Sequence, residues 1–208
     1  METELPTTMR AQFLDAFKEP YTLRTVPLPQ LSHPDDILIR VDAASYCHTD
    51  HVLAEGQMPG FPKSFPHIGC HEFSGTVVSH FSQPSSDAIQ FGKGSRVGVT
   101  GRAFRACREC FECQGSKDPI ADDGKGYSVH CTRAENNGIS KDGGFAEYAV
   151  VDARQLAPIP DVLSAVETAP LMCAGITIYA ALKRCHLQPG DRVAIIGAGG
   201  MQLKNVFV

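Results

Sequence analysis

Three cysteines at a two-residue pitch, Cys107-x-x-Cys110-x-x-Cys113, constrain this chain more than any other feature. That spacing lets one tight loop turn successive thiolates onto a single metal ion. A fourth thiol follows at Cys131, separated from Cys113 by 17 residues, which completes the donor set of a closed, structural zinc site. The intervening stretch, with Asp118-Pro119-Ile120-Ala121-Asp122-Asp123-Gly124, lengthens the loop at small cost, because closure entropy grows only logarithmically. The plainer alternative is a three-cysteine loop with partial metal or none. The start, Met1-Glu2-Thr3-Glu4-Leu5-Pro6, lacks the basic and apolar regions of a secretory leader, so metal accounts for the eight cysteines better than disulfides do.

A second cluster is scattered along the chain. Cys47-His48-Thr49-Asp50 and Gly69-Cys70-His71-Glu72 can bring a thiolate and an imidazole together, and Cys173 offers a further thiolate. Three protein ligands and an open position make a catalytic zinc, which polarises an oxygen of the substrate. Cys70 and Cys185 fall outside both clusters and are expected as small buried or half-buried residues.

A length of 208 residues, 43% hydrophobic and 20% charged, suits one domain or two small ones. A net charge of -4 excludes the electrostatic footprint of a nucleic-acid or membrane-surface binder. No apolar run reaches the ~18 to 20 residues of a membrane span, and cytoplasmic is the default expectation. Short strands are expected between Ala11 and Val26, over Ile37–Asp42, Phe73–Ser79, Gly94–Val99 and Phe145–Val151, and a surface loop over Ser82–Gln90. Helices appear late: Ser164-x-x-Glu167 forms a capping box, Pro170 ends or kinks that helix, and a second helix runs from about Ala174 to Arg184. The sequence therefore reads as mainly β within an α+β class, a small barrel followed by helices. Asp191 to Gly197 is an apolar run suited to a buried parallel strand.

Taken together, C-H-T-D, H-E, the Leu171-Met172-Cys173-Ala174-Gly175 segment and the four-cysteine loop resemble the zinc-dependent medium-chain alcohol dehydrogenases, from about Met9 to Gly200. The resemblance implies a GroES-like catalytic barrel over residues 1–189 and, over 190–208, the stub of a Rossmann-type NAD(P)-binding domain. It implies Cys47, His71 and Cys173 as catalytic zinc ligands, with Glu72 as a transient fourth ligand or a charge behind them. Cys107, Cys110, Cys113 and Cys131 are implied as the structural zinc set. Thr49 matches the hydroxyl that bonds the substrate oxygen and starts a proton relay. Asp50 is expected to orient a ligand, and His48 to touch the cofactor pyrophosphate. Two departures stand out: Val52 occupies the place where many relatives carry the relay histidine, with His51 one residue off, and Cys70 replaces the usual glycine before His71.

Gly197-Ala198-Gly199-Gly200 after an apolar run looks like the opening of a nucleotide-binding fingerprint, with Gly197, Gly199 and Gly200 letting backbone approach a pyrophosphate. The third glycine position is Gln202, and 18 residues follow Gly190, where a dinucleotide domain takes on the order of 100. Truncation at the start of the cofactor domain is the expectation. The leading functional reading is an oxidoreductase interconverting an alcohol and an aldehyde or ketone with NAD(P). Its partners would be a small-molecule substrate and, by resemblance, further copies in a homo-oligomer, with no nucleic acid or membrane. Two alternatives stay open: a redox-inactive zinc-binding remnant or binding module, and a zinc lyase or isomerase.

Overall fold

The structure, a computed structural model, describes residues 4–115 and 126–194. An N-terminal hairpin of β1 (Thr8–Phe13) and β2 (Thr22–Pro27) leads to the central strand β3 (Asp36–Ala44). The helix α1 (His48–Ala54) follows at once, then β4 (Phe73–His80), the single-turn helix α2 (Ser86–Ile89) and β5 (Arg96–Val99). After a short helix α3 (Phe111–Gln114) come β6 (Tyr148–Asp152) and β7 (Leu156–Pro158), with a 3-10 turn between them. The five strands order as β6-β3-β4-β5-β7, antiparallel throughout.

Strand β1 extends this sheet rather than standing apart. The Gln12 amide donates to the Phe145 carbonyl (2.8 Å) and the Glu147 amide to the Arg10 carbonyl (3.0 Å), just ahead of β6. The barrel's core is what the alternation in the sequence demands: Ile37 and Ile39 of β3, Phe73 and Val77 of β4, Val97 and Val99 of β5, and Val151 of β6 bury their side chains together. Each contributes roughly 1.5–3 kcal/mol of transfer free energy. All four single-strand expectations hold, although β5 and β6 begin at Arg96 and Tyr148, later than the sequence pattern suggests.

Past β7 the chain turns helical. Ser164 caps α4 (Ala165–Thr168), its hydroxyl accepting from the Glu167 amide while the Glu167 carboxylate takes the Ser164 amide (2.9 Å). Pro170 then tightens the next turn into a 3-10 segment, Ala169–Met172, and α5 (Ala174–Arg184) runs over the expected residues. The Ser74 hydroxyl donates to the Ala165 carbonyl (2.8 Å), which pins α4 to β4. Among the described residues no single helix is long and apolar enough to cross a membrane.

Three expectations need correction. Cys185 is exposed, because it caps α5 on the helix's solvent side, and its thiol is left to donate to its own helix at the Ala181 carbonyl (3.3 Å). The 82–90 loop contains α2, which Ser85 initiates by accepting from the Ala88 amide. The run expected as a strand from Asp191 has no regular structure over its described residues, 191–194; the remainder, with Gly197, Gly199 and Gly200, lies outside the described residues.

Candidate metal centres

The first centre is local. The sulfur atoms of Cys107, Cys110, Cys113 and Cys131 all lie within 4.8 Å of one another. Backbone amides turn toward them: Cys110 N–H donates to Cys107 Sγ (3.3 Å) and Cys107 N–H to Cys131 Sγ (3.4 Å). Burial pushes the Cys107 thiol up, but the amides of Glu109 and Cys110, with the neighbouring thiols, outweigh it and bring it down to about 6. Burial, joined by the neighbouring Cys110, Cys131 and Cys107 and opposed by the Arg108 amide, pushes the Cys113 thiol up to about 12. Four thiols this close, with Cys107 and Cys131 both held below the ordinary thiol value, favour a divalent cation over four protons.

Buried carboxylates dock this loop on the barrel. The Arg105 amide donates to Asp152 (2.8 Å) and its guanidinium to Asp36 (2.7 Å), while Arg108 reaches Asp35 (2.6 Å). Asp35, Asp36 and Asp152 are all buried at the edge of β3 and β6. Burial alone would raise the Asp35 carboxyl, yet Ser85, Arg108 and Arg154 hold it below its ordinary value. None of these acids stands out in the sequence; the adjacent pair Asp35-Asp36 opening a strand was the available signal.

The second centre is assembled from three separated segments. Cys47, His71, Glu72 and Cys173 offer two sulfurs, an imidazole nitrogen and a carboxylate oxygen within 4.8 Å of one another. Cys47 stands at the N-terminus of α1, His71 and Glu72 immediately before β4, and Cys173 between the 3-10 segment and α5. Helix α1 was not anticipated, although Asp50 three residues after Cys47 is its signal: the Asp50 carboxylate accepts from the Cys47 amide (2.8 Å). The other Asp50 oxygen lies 3.2 Å from His71 Nδ1, leaving Nε2 for the cluster.

Two glycines let the His71 segment sit where it does. A Cβ on Gly101 would stand 2.1 Å from the His71 carbonyl oxygen, and one on Gly138 would stand 2.2 Å from Cys70 backbone. Both have positive φ, 62° and 73°. Cys70 itself holds φ 74° without being glycine, and its buried thiol donates to the Glu72 carbonyl (3.2 Å).

The electrostatics of the second centre suit a cation. Glu72 is raised by burial despite the Ser45 hydroxyl it accepts from (2.8 Å), and its Oε2 is buried without a hydrogen-bond partner. Burial, then the neighbouring Cys47 and Glu72, push the Cys173 thiol up to about 12. An orphaned carboxylate oxygen among two thiols and an imidazole is the donor chemistry of zinc, and the residues fit it. Thr49 lies in the first turn of α1 with its hydroxyl 3.8 Å from Cys47 Sγ. His48 and His51 are both exposed on α1, their rings 5.6 Å apart, so His51 shares the side of His48 while Val52 is half-buried.

A β-barrel that carries a closed thiolate cluster on a side loop and a mixed donor set at its helical edge defines a class of zinc-binding catalytic domain. The model of the alcohol dehydrogenase GroES-like domain matches residues 33–161, and the chain belongs to that family. An alcohol dehydrogenase of Geobacillus stearothermophilus is 36% identical over 193 residues, which are 93% of this chain and 52% of that relative. The chain therefore spans about half the length of the curated relatives it matches. Among solved structures, acetophenone reductase from Geotrichum candidum in complex with NAD superposes with a TM-score of 0.77 at 25% identity, covering 98% of this chain and 55% of that one. The cobalt- and zinc-bound thermostable alcohol dehydrogenase from Pyrobaculum aerophilum gives 0.75 at 27% identity, covering 94% and 54%.

Proposed function

We propose that this chain is the zinc-binding catalytic part of an alcohol dehydrogenase, interconverting a small alcohol and an aldehyde or ketone with NAD(P). The observation that carries the reading is the convergence of Cys47, His71, Glu72 and Cys173, with the Glu72 Oε2 otherwise orphaned. Cys47, His71 and Cys173 would hold the catalytic zinc, and Cys107, Cys110, Cys113 and Cys131 the structural one. Bound zinc supplies Lewis acidity toward the substrate oxygen.

The chain's own residues do the rest. Asp50 fixes the His71 ring by accepting at Nδ1, and its bond to the Cys47 amide ties the two ligand segments together. The Thr49 hydroxyl, beside Cys47, both donates and accepts, so it can take the alcohol proton and hand on its own without a change of charge. Val52 cannot continue such a relay. His48 and His51, one turn apart on α1, are its exposed titratable groups and could pass the proton to water. Residues 1–189 form the catalytic unit in this reading, and Gly197, Gly199 and Gly200 open the cofactor-binding segment.

The test joins the zinc-loaded chain to the cofactor-binding half of a relative and assays alcohol oxidation with NAD and NADP, beside zinc analysis. Turnover that vanishes in Cys47→Ala, with the thiolate centre still loaded, is expected. Both zincs intact with no turnover would overturn the redox reading in favour of a zinc-binding module.

A further inference from the structure

A cavity lies away from both metal centres. About 450 Å³ in volume, it opens between β6 and the 63–68 segment, and Lys141, Phe104, His67, Glu135 and Asp142 are among its walls. Lys141 is the unusual member. Its ammonium sits 3.7 Å from the centre of the Phe104 ring and donates to a single acceptor, the Val150 carbonyl, at 3.3 Å. The other cations at this wall are matched, Lys63 by Glu135 (3.1 Å) and Arg105 by Asp36 (2.7 Å). Among the described residues Lys141 has no carboxylate at ion-pair distance. A half-buried amine facing a cavity without a counter-ion is costly as a structural element and well suited to act as a nucleophile.

We propose that Lys141 is a carbonyl-capture site, whose amine condenses reversibly with a small aldehyde entering this cavity. The nitrogen lone pair forms a C–N bond to the carbonyl carbon as the C=O π bond breaks. One N–H proton of the amine moves to that oxygen, and the proton the ammonium first shed returns to the resulting hydroxyl as it leaves as water, so the nitrogen keeps its last proton. An ammonium and an aldehyde thus become a protonated imine and one water, with the charge conserved and no oxidant or reductant. The surroundings match that product. An iminium keeps one N–H, for which there is one carbonyl, and keeps its positive charge, for which there is one aromatic face. Acylation would abolish the charge and forfeit the Phe104 contact.

Burial lowers the Lys141 ammonium to about 8, against the pull of Asp36, Glu135 and Asp142 and with the help of Arg105, and His67 and Lys63 also line the cavity. Free amine is therefore present near neutrality, where a lysine at its ordinary value is almost wholly protonated. This inference is independent of the dehydrogenase reading, since it needs neither metal centre.

The experiment is reductive trapping of the intact chain with acetaldehyde and cyanoborohydride near pH 8, read by peptide mass mapping. Lys141 should be alkylated on the order of tenfold faster than Lys18 or Lys93, the gain in free amine being partly offset by its lower basicity. Phe104→Leu, which keeps an apolar side chain, should reduce trapping at Lys141 alone. Labelling of Lys141 no faster than that of Lys18 would overturn the proposal, as would trapping in Phe104→Leu equal to the parent.

Discussion

The two cysteine clusters are built by opposite strategies. Cys107 to Cys131 is held by a single stretch of chain, with amides turned onto its sulfurs and nothing but thiols as donors. Cys47, His71, Glu72 and Cys173 come from both ends of the sequence and depend on β4, α1, α5 and two glycines for their meeting. The first is a staple that carries its own geometry. The second exists only when the barrel is right, and it alone includes a carboxylate with an oxygen to spare. A site that must open to substrate gains from a donor held in reserve, whereas a staple gains from being closed.

Substitutions at the seams should separate the two. The largest effect belongs to Gly101→Ala, which forces a left-handed residue and a clash onto the His71 carbonyl. About 3 kcal/mol of stability should be lost in urea unfolding, and the mixed centre should release metal before the thiolate centre does. Asp50→Asn comes next. The amide can still accept from Cys47 N–H, but it opposes a proton on His71 Nδ1 and drives the ring to the tautomer that blocks Nε2. Metal affinity at that centre alone should fall by roughly 10- to 100-fold in chelator competition.

Asp35→Asn tests the docking of the thiolate loop. With Arg108 half-exposed, the loss should be about 1–2 kcal/mol, and hydrogen exchange should rise around Cys107–Cys113 while the barrel keeps its protection. The pH dependence has a definite sign. Because the Asp35 carboxyl lies below its ordinary 3.8 in the fold, its contribution is complete above that value and is lost as pH falls through the folded value. The variant should therefore lack part of the parent's acid destabilisation. Cys70→Gly should have the smallest effect. Relief of the φ 74° strain offsets the loss of a buried thiol, for a net change within ~1 kcal/mol by thermal unfolding.

These seams are where sequence reading stops. The barrel strands were legible because Ile37, Ile39 and Val41 alternate, and helix α4 because Ser164 and Glu167 form a local box whose partners lie three residues apart. The two donor sets were legible because sulfur and imidazole are rare and their spacing is informative. What stayed hidden is contact at long range. Asp35 reaches Arg108 across 73 residues, and the close approach of Gly101 to His71 depends on a loop return that no periodicity encodes. Helix α1 lay between these cases: its Asp50 signal was present, but seven residues are too few for a helical period to show. Cys185 was misplaced because thiol chemistry predicts burial on average and says nothing of which side of α5 it takes.

Cobalt(II) titration of the metal-free chain tests the central contrast most directly, because thiolate-to-cobalt absorption reports each centre and responds to added ligands. Two equivalents should bind. The spectrum of one should shift when a small exogenous ligand such as imidazole is added, and that of the other should not. The responsive component should disappear in Cys47→Ala and persist in Cys110→Ala. A single equivalent, or two that respond alike, would contradict the division into a closed staple and an open centre.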